Sequence, residues 1–300
     1  MSSRTPNPAT RFSSGPQTRP THEERHPFAP DSAATDKLLR VAGFPAVSAL
    51  FKTAPDRVVR FFYEERMIPR IGTFCAYMAG QRRPYRMLDT AELSRVAGTV
   101  RHGGIVAVAE PRNLKDLPLD QAYGWATAHQ PLFVLDGIGN THNLGAIART
   151  LAFFGHERLI LSDHPAQAGL SDSAYRVAEG GLEYLELFRA SRLPALLHKL
   201  QTAYRIMGTS VEKGLPLEHL PEDPRPPLVI LGNEEQGLSP ATLKSCEVVA
   251  RIRGKGAVQS LNVSASVAIL AYALKPVPVS RTPPSTPPKI KRHPRKRPER

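Results

Sequence analysis

Three short segments of the chain carry residues that could hold a phosphate or a hydroxyl group for chemistry. In the first segment, Asn143 and Arg149 stand six positions apart, with Gly145 between them. Asn143 is a residue type that caps helix starts, Gly145 would let a ligand approach the backbone, and the guanidinium fork of Arg149 suits two phosphate oxygens. A capped helix with a solvated arginine explains this segment equally well. The segment therefore indicates a site only together with the other two.

The second segment is an acidic turn between Gly232 and Gly237 that contains Glu234. No Gly-Lys-Ser or Gly-Lys-Thr follows it, so it is not a phosphate-binding P-loop. Ser239 and Pro240 predict that a helix starts just after the turn, with Ser239 as its cap. An ordinary strand-to-helix turn and a ligand-binding turn are both compatible with this pattern.

The third segment clusters Ser260, Asn262 and Ser264 at the expected start of the last helix. A helix start offers free N–H donors and a partial positive charge to a ligand. Capping of the helix by Ser260 is the alternative explanation. It leaves Asn262 unexplained, because asparagine is unfavourable inside a helix.

These segments lie where a parallel sheet would place a ligand. Between residues 131 and 275, apolar strand candidates alternate with helix candidates, which predicts a mostly parallel sheet covered by helices on both faces. Ligands of such sheets bind beyond the carboxyl ends of the strands. We predict strands at 131–138, 158–163, 185–190, 205–210, 227–233 and 248–254, and helices at 144–154, 171–181, 192–204 and 261–274.

A smaller α/β unit of about 90 residues is predicted upstream. It has helices at 44–53, 67–80 and 90–98 and strands at 58–64, 85–89 and 104–110, and a further helix follows at 119–129. The predicted division is a tail at 1–32, an α/β domain at 33–112, a linker at 113–130, the larger domain at 131–275 and a second tail at 276–300.

The composition indicates a folded protein with a polyanionic partner. The 300 residues are 41% hydrophobic, which is enough for a core, and carry a net charge of +13. Residues 275–300 hold nine Lys and Arg against one Glu, a run that is either simply solvated or attracts RNA without sequence specificity. Both tails are rich in proline and poor in apolar residues, which predicts disorder.

Other sequence features exclude several classes of protein. Cys75 and Cys246 lack metal-type spacing, and no segment resembles a signal peptide or a membrane span. We therefore expect a soluble, cytoplasmic protein without a metal ion. The stretch His22–His26 matches the HExxH pattern of zinc proteases, but Pro20 and Pro27 flank it and oppose the helix that this pattern requires.

Together the three segments resemble the three motifs of the SpoU/TrmH family of RNA ribose methyltransferases, within the SPOUT class. Order and spacing agree over residues 131–275. Two stretches upstream, 41–59 and 93–108, resemble the family's N-terminal substrate-binding domain, which has a small α/β RNA-binding fold. The matched motif residues are Asn143, Gly145 and Arg149; Gly232, Asn233, Glu234 and Gly237; and Ser260 to Ser264.

The resemblance implies a fold, a cofactor and partners. It implies a deep trefoil knot in the larger domain, S-adenosylmethionine as cofactor, tRNA or rRNA as substrate, and a homodimer formed through the knotted domain. The implied catalytic residues are Arg149, Glu234, Asn143, Ser260 and Asn262. The implied cofactor-binding residues are Gly232, Ile252, Leu261, Thr209 and Asn262. The expected RNA-binding residues are Arg82, Arg83, Arg86, Arg101, Arg253 and Lys255, with His102 beside them.

The implied reaction transfers a methyl group to a ribose 2′-hydroxyl. Arg149 is an unsuitable base, because an arginine stays protonated in proteins. We expect it to clamp the adjacent phosphate and stabilise the developing alkoxide. The phosphate or Glu234 would take the proton, or Glu234 would instead orient Arg149.

Three departures from the family pattern bear on the substrate rather than the reaction. They are Glu235, Arg253 with Gly254, and Thr141, which stand where the family commonly has Gly, Pro-Met and Pro. Two alternative functions remain open at this point. One is a non-catalytic RNA-binding protein that kept the fold, and the other is an RNA base methyltransferase.

Overall fold

The computed structural model describes residues 38–274, which form two α/β units, each built on its own sheet. In the smaller unit the strand order is β1-β4-β2-β3, with β4 antiparallel to both of its neighbours. Its strands are β1 (Leu39–Ala42), β2 (Val58–Tyr63), β3 (Tyr85–Met87) and β4 (Ile105–Ala109). Its helices are α1 (Phe44–Thr53), α2 (Ile68–Gly80) and α3 (Thr90–Ala97).

The larger unit contains an eight-stranded sheet in the order β10-β12-β9-β11-β6-β7-β8-β5, and every pair in it is parallel. Its strands are β5 (Lys115–Asp116), β6 (Leu132–Asp136), β7 (Arg158–Ser162), β8 (Glu186–Ala190), β9 (Arg205–Thr209), β10 (Leu215–Pro216), β11 (Pro227–Gly232) and β12 (Val248–Arg251). Its helices are α4 (Leu119–Thr127), α5 (Thr141–Phe153), α6 (Asp172–Ala178), α7 (Gly181–Tyr184), α8 (Leu193–Leu200), α9 (Pro240–Lys244) and α10 (Val263–Ala273).

The larger sheet is covered on both faces, as its sequence predicts. Successive side chains of a strand point to opposite faces, so alternate residues of β6 enter different cores. Phe133 and Leu135 pack in the cluster that contains Ile147 of α5. Leu132 and Val134 pack in the cluster that contains Leu197 of α8. Because both faces of the sheet are packed against apolar cores at β6, this strand is a continuous hydrophobic run and does not alternate apolar with polar residues.

Two features add to the sequence prediction, namely strand β1 of the smaller unit and the part that the connecting segment plays. β1 has only four residues and was not predicted. The segment predicted as a linker, 113–130, contributes both β5, which pairs with β8, and α4 to the larger unit. Ala122 and Ala126 of α4 pack in the same core as Leu197. The predicted tails lie outside the described residues, and within 38–274 no helix has the length and apolar character needed to cross a membrane.

The two units are fixed against each other through α6 and α7. Arg57, which precedes β2, places its guanidinium 2.8 and 3.0 Å from the two carboxylate oxygens of Glu183 on α7. The Glu183 side chain is only 2% exposed. Arg112 donates to the carbonyl oxygens of Leu182 and Leu185 at 2.6 and 2.8 Å. The apolar core also runs continuously from the smaller unit into the larger one. Charge pairing and apolar packing together therefore set one orientation of the units.

A buried histidine ties α10 to the end of α5, and it makes stability depend on pH. His156 is 4% exposed and its Nε2 lies 3.1 Å from the carbonyl oxygen of Ala271. Burial lowers the pKa of His156, because the charged imidazole loses its hydration there. In the unfolded chain the pKa of the imidazole has the ordinary histidine value of about 6.5. Below that pH the unfolded state therefore binds more protons than the folded state.

We predict that the free energy of unfolding falls as the pH drops below about 6.5, with a slope from His156 of at most about 1.4 kcal/mol per pH unit. Above about pH 6.5 this contribution is constant. Urea unfolding of the full chain at pH 7.5 and 5.5 measures it, and His156→Gln should reduce the loss between the two. An identical loss in both proteins would contradict the prediction.

Candidate active site

The three segments singled out in the sequence meet through a chain of side-chain hydrogen bonds. The Asn262 amide nitrogen donates to Oδ1 of Asn143 at 3.1 Å. The Asn143 amide nitrogen in turn donates to Oε1 of Glu234 at 2.8 Å. The other carboxylate oxygen of Glu234 accepts from the backbone N–H of Gly139 at 3.3 Å. Residues separated by 91 and 119 positions in the sequence thus form one polar cluster.

The turn that carries Glu234 is built by its neighbours. The backbones of Asn233 and Gly237 exchange two hydrogen bonds, of 3.1 and 2.9 Å. The Asn233 side chain accepts from the N–H groups of the two residues after Glu234 and donates to the carbonyl oxygen of Gly137 at 2.8 Å. A Cβ at Gly232 would lie 2.4 Å from the carbonyl carbon of Gly237, so the turn closes only around a glycine.

Gln167 holds the loop after β6 through hydrogen bonds, a role that the sequence did not predict. Gln167 is buried, and its Oε1 accepts from the N–H groups of Gly137 and Ile138 at 3.1 Å each. Its amide nitrogen donates to the carbonyl oxygens of Ile138 and Ala168. These four bonds fix the loop that presents the Gly139 N–H to Glu234. A lone glutamine in a loop after β7 gives no pattern from which this role could be predicted.

Two helix caps differ from those predicted, and both differences serve the cluster. The N-cap of α5 is Asn140, whose side chain accepts from the His142 N–H at 2.8 Å, so the prediction that Asn143 is the cap is wrong. Asn143 lies in the first turn, which leaves its amide free for Glu234. Likewise the cap of α10 is Asn262 rather than Ser260, because Asn262 Oδ1 accepts from the Ser264 N–H at 2.8 Å. Ser260 is exposed in the preceding loop.

Gly145 serves helix packing instead of ligand approach. A Cβ at this position would lie 2.5 Å from the carbonyl oxygen of Ala174 and 2.9 Å from Cβ of Val177. Helix α5 therefore approaches α6 closely only because position 145 has no side chain. The expectation that a ligand uses this space is wrong.

Arg149 lies on α5 away from the polar cluster. Its Nη1 is 3.0 Å from Oε1 of Glu179, and the two side chains are 57% and 46% exposed. Glu234 binds Asn143 and Gly139, so the expectation that Glu234 orients Arg149 is wrong within one chain. The structure thus brings together Asn143, Glu234 and Asn262, and leaves Arg149 with a different carboxylate.

The residues expected to hold the cofactor lie at the carboxyl ends of three neighbouring strands. In the order β12-β9-β11, β9 ends at Thr209, β11 ends at Gly232, and Ile252 follows β12 directly. Thr209 ties two of these strands together, since its hydroxyl donates to the Ile230 carbonyl oxygen at 2.9 Å. Leu261, 51% exposed, lies next to Asn262 at the start of α10. Carboxyl ends of parallel strands are where ligands of such sheets bind.

The residues expected to bind RNA divide into two groups. Arg82, Arg86, Arg101, Arg253 and Lys255 are exposed. The Arg83 guanidinium instead donates to the carbonyl oxygens of Asp56 and Val58, at 2.6 Å each, which engages it within the protein. His102 is 2% exposed and bonded to Ser94 and the Gly104 N–H, so the expectation that it faces RNA is wrong.

Neither cysteine belongs to the cluster, and no metal centre is present in the described part of the chain. Cys246 is partly buried, and its thiol donates to the Thr242 carbonyl oxygen. Burial raises the pKa of the Cys246 thiol to about 11, so it is protonated at neutral pH. Within residues 38–274 no group of three or more His, Cys, Asp or Glu side chains could hold a metal ion.

Solved structures described as RNA methyltransferases have the same fold as this chain. An rRNA methyltransferase from Sinorhizobium meliloti has the same fold, with a TM-score of 0.66 at 18% identity over 80% of this chain and 87% of that one. A TrmH-family protein from Porphyromonas gingivalis has a TM-score of 0.63 at 18% identity, over 82% of this chain and 93% of that one.

The chain belongs to the SpoU rRNA methylase family. Residues 130–272 match that family, and residues 40–114 match the family described as RNA 2′-O ribose methyltransferase substrate binding. The 23S rRNA (guanosine-2′-O-)-methyltransferase RlmB of Pseudomonas aeruginosa is 31% identical over 242 residues, which are 78% of this chain and 95% of that protein.

Other relatives are longer than this chain. The uncharacterized tRNA/rRNA methyltransferase YfiF of Escherichia coli O157:H7 is 32% identical over 232 residues, which are 77% of this chain and 66% of that protein. A relative described in the same words, without the name YfiF, from Haemophilus influenzae is 32% identical over 64% of this chain and 55% of its own length. The chain thus spans somewhat less than two thirds of these two relatives.

Proposed function

We propose that this chain transfers a methyl group from S-adenosylmethionine to the 2′-hydroxyl of a ribose in tRNA or rRNA. The observation that carries the proposal is the hydrogen-bonded cluster of Asn262, Asn143 and Glu234. It lies at the same sheet edge as the strand ends expected to hold the cofactor. Relatives named as rRNA 2′-O-methyltransferases support the choice of substrate. Because tRNA and rRNA belong to the translation machinery, such a substrate also favours a cytoplasmic location for the protein.

In this mechanism the protein aligns the hydroxyl and removes its proton. S-adenosylmethionine supplies the methyl group on a sulfonium, which leaves as a neutral thioether. Holding the hydroxyl in line with that methyl is worth about 7–11 kcal/mol in well-oriented reactions. One carboxylate oxygen of Glu234 is fixed by Asn143 and the other by the Gly139 N–H. Either this carboxylate or the RNA phosphate accepts the hydroxyl proton. Asn262 and Ser260 position the ribose and the cofactor.

We propose that Arg149 reaches a site through a second copy of the chain. In its own chain Arg149 is paired with Glu179 and lies apart from the Asn143 cluster. Helices α5 and α10 pack together, and they expose Phe153 at 81%, Tyr272 at 61% and Ile269 at 39%. A homodimer packed on these helices would cover the three apolar side chains. It would also bring Arg149 of each chain towards RNA held by its partner.

The trefoil knot belongs to the same proposal. It would join the segments after β11 and β12 around the cofactor. The loop before Leu261 is exposed at that place. The exposed Arg82, Arg86 and Arg101 of the smaller unit, with Arg253 and Lys255 beside the cofactor edge, would bind RNA phosphates.

Methyl transfer with defined chemistry tests the proposed function. The full chain is incubated with tritium-labelled S-adenosylmethionine and total RNA from cells that lack the protein. Label in alkali-resistant dinucleotides shows ribose 2′-O-methylation, because a methylated 2′-oxygen cannot assist cleavage of its phosphodiester. Label on a base would establish an RNA base methyltransferase instead. RNA binding without any transfer would establish a non-catalytic RNA-binding protein.

A further inference from the structure

The partner of Arg149 is a carboxylate held in a backbone conformation that side-chain-bearing residues rarely adopt. Glu179 follows α6 directly and has φ 45 and ψ 41, in the left-handed region. Left-handed backbone is unfavourable for residues other than glycine, because Cβ approaches the following carbonyl oxygen. Many helices end in this conformation with a glycine. At position 179 a glycine would serve the turn better, and the chain instead places a carboxylate there.

The turn around Glu179 is wedged between the two units of the protein. A Cβ at Gly180 would lie 2.8 Å from Cβ of Ala49, on α1 of the smaller unit. A Cβ at Gly181 would lie 2.7 Å from Cα of Arg149, on α5 of the larger unit. The backbone that follows Glu179 is therefore packed against both units, and it fixes the point from which the Glu179 side chain reaches Arg149 on α5.

The ion pair leaves most of the Arg149 guanidinium available. Glu179 contacts Nη1 at 3.0 Å, and Arg149 is still 57% exposed. A guanidinium carries five N–H donors, so one edge can stay on the carboxylate while another binds a phosphate. An arginine side chain also has several freely rotating bonds, and ordering it during the reaction has an entropic cost. A carboxylate that already holds one edge removes part of that cost.

We infer that Glu179 is a positioning residue, which orients the guanidinium of Arg149 for the methyl transfer proposed above. The inference rests on that proposed function. Glu179 acts through Arg149 and does not itself touch the RNA or the cofactor. By orienting Arg149, Glu179 makes the turnover faster. Its negative charge also offsets part of the attraction of Arg149 for phosphate, so it does not make RNA binding tighter.

The test compares kcat and KM for RNA among variants of the full chain, with total RNA from cells lacking the protein as methyl acceptor. Glu179→Gln should lower kcat about tenfold, since an Arg149 side chain without its partner loses orientation. The KM for RNA should stay the same or fall. Glu179→Asp keeps a carboxylate and should recover part of the rate.

Glu179→Gly separates positioning from folding. Glycine relieves the left-handed backbone, so the melting temperature should equal or exceed that of the unmodified chain. If Glu179 positions Arg149, this variant is at least as stable and yet about tenfold slower in kcat, as the freed Arg149 side chain implies. A slower rate that appears only with a lower melting temperature would overturn the inference and assign Glu179 a structural role.

A matched control removes a different exposed ion pair. Arg189 and Asp116 pair at 2.8 Å with side chains that are 31% and 63% exposed, and Asp116→Asn should leave kcat unchanged. Unchanged kcat in all Glu179 variants, with an active unmodified chain, would overturn the inference alone. No methyl transfer by the unmodified chain would overturn the proposed function, and the inference with it.

Discussion

Replacing Glu234 by alanine should lower the rate of methyl transfer by about 100-fold or more, within the range that a positioned acid or base contributes. The carboxylate is the acceptor at which the hydrogen-bond chain from Asn262 through Asn143 ends. Its removal takes away the proposed proton acceptor and leaves the Asn143 amide without its partner. Asn143 would then lose the bond that fixes its amide, while Asn262 stays held as the cap of α10, so the positioning of the ribose is weakened together with the loss of the base.

The neighbouring carboxylate provides the control for this experiment. Glu235 is exposed, and its backbone N–H, rather than its side chain, bonds to Asn233. Glu235→Ala should therefore keep a rate within about threefold of the unmodified chain, as expected for a surface change away from the reacting atoms. Rates come from tritium transfer to RNA, and calorimetric titration with S-adenosylmethionine checks that both variants still bind it. Equal rates for the two variants would exclude Glu234 as the proton acceptor.

The place of the polar cluster was predictable from general rules of parallel sheets. Alternating strands and helices placed Asn143, Glu234 and Asn262 at carboxyl ends of strands or at the helix start beyond them, and the sheet brings those ends to one edge. The predicted helix start at Pro240, with Ser239 as its cap, is also confirmed. These features depend on local sequence and on the general rule that ligands bind beyond the carboxyl ends of parallel strands, and both can be read from a sequence pattern.

The exact partners were not predictable, because they depend on differences of one turn or less. Asn140 and Asn143 are both good caps, and only the position at which α5 begins decides which of them is free for Glu234. Gly145 looks the same in sequence whether a ligand or a helix approaches it, and here the neighbour is Ala174 of α6. Gln167 acts on a loop 29 and 30 residues away, with no local signal.

The contact between the two units was hidden from the sequence for a related reason. Arg57 and Glu183 are 126 residues apart, and in the sequence nothing distinguishes either of them from an ordinary surface charge. Only the docking of α7 on the smaller unit buries them together. The Tyr175 hydroxyl, 3.5 Å from the same guanidinium, completes a polar group inside an otherwise apolar contact.

Breaking this contact from one side should have the largest effect on stability of any single change considered. Arg57→Ala leaves Glu183, whose side chain is 2% exposed, without its cation. Removing one member of a buried ion pair costs about 3–5 kcal/mol, because the remaining charge stays desolvated. The free energy of unfolding in urea should fall by that amount, or the two units should unfold in separate steps, since the pair holds them together.

Two comparisons decide whether burial is the reason. Arg189 and Asp116 form an ion pair of 2.8 Å whose side chains are 31% and 63% exposed, and Asp116→Asn should cost no more than about 1 kcal/mol. Arg57→Met with Glu183→Leu removes both buried charges and should recover most of the stability that Arg57→Ala loses. If Arg57→Ala costs no more than Asp116→Asn, the pair is not what fixes the units, and the apolar contact around α1 and α7 must carry their orientation instead.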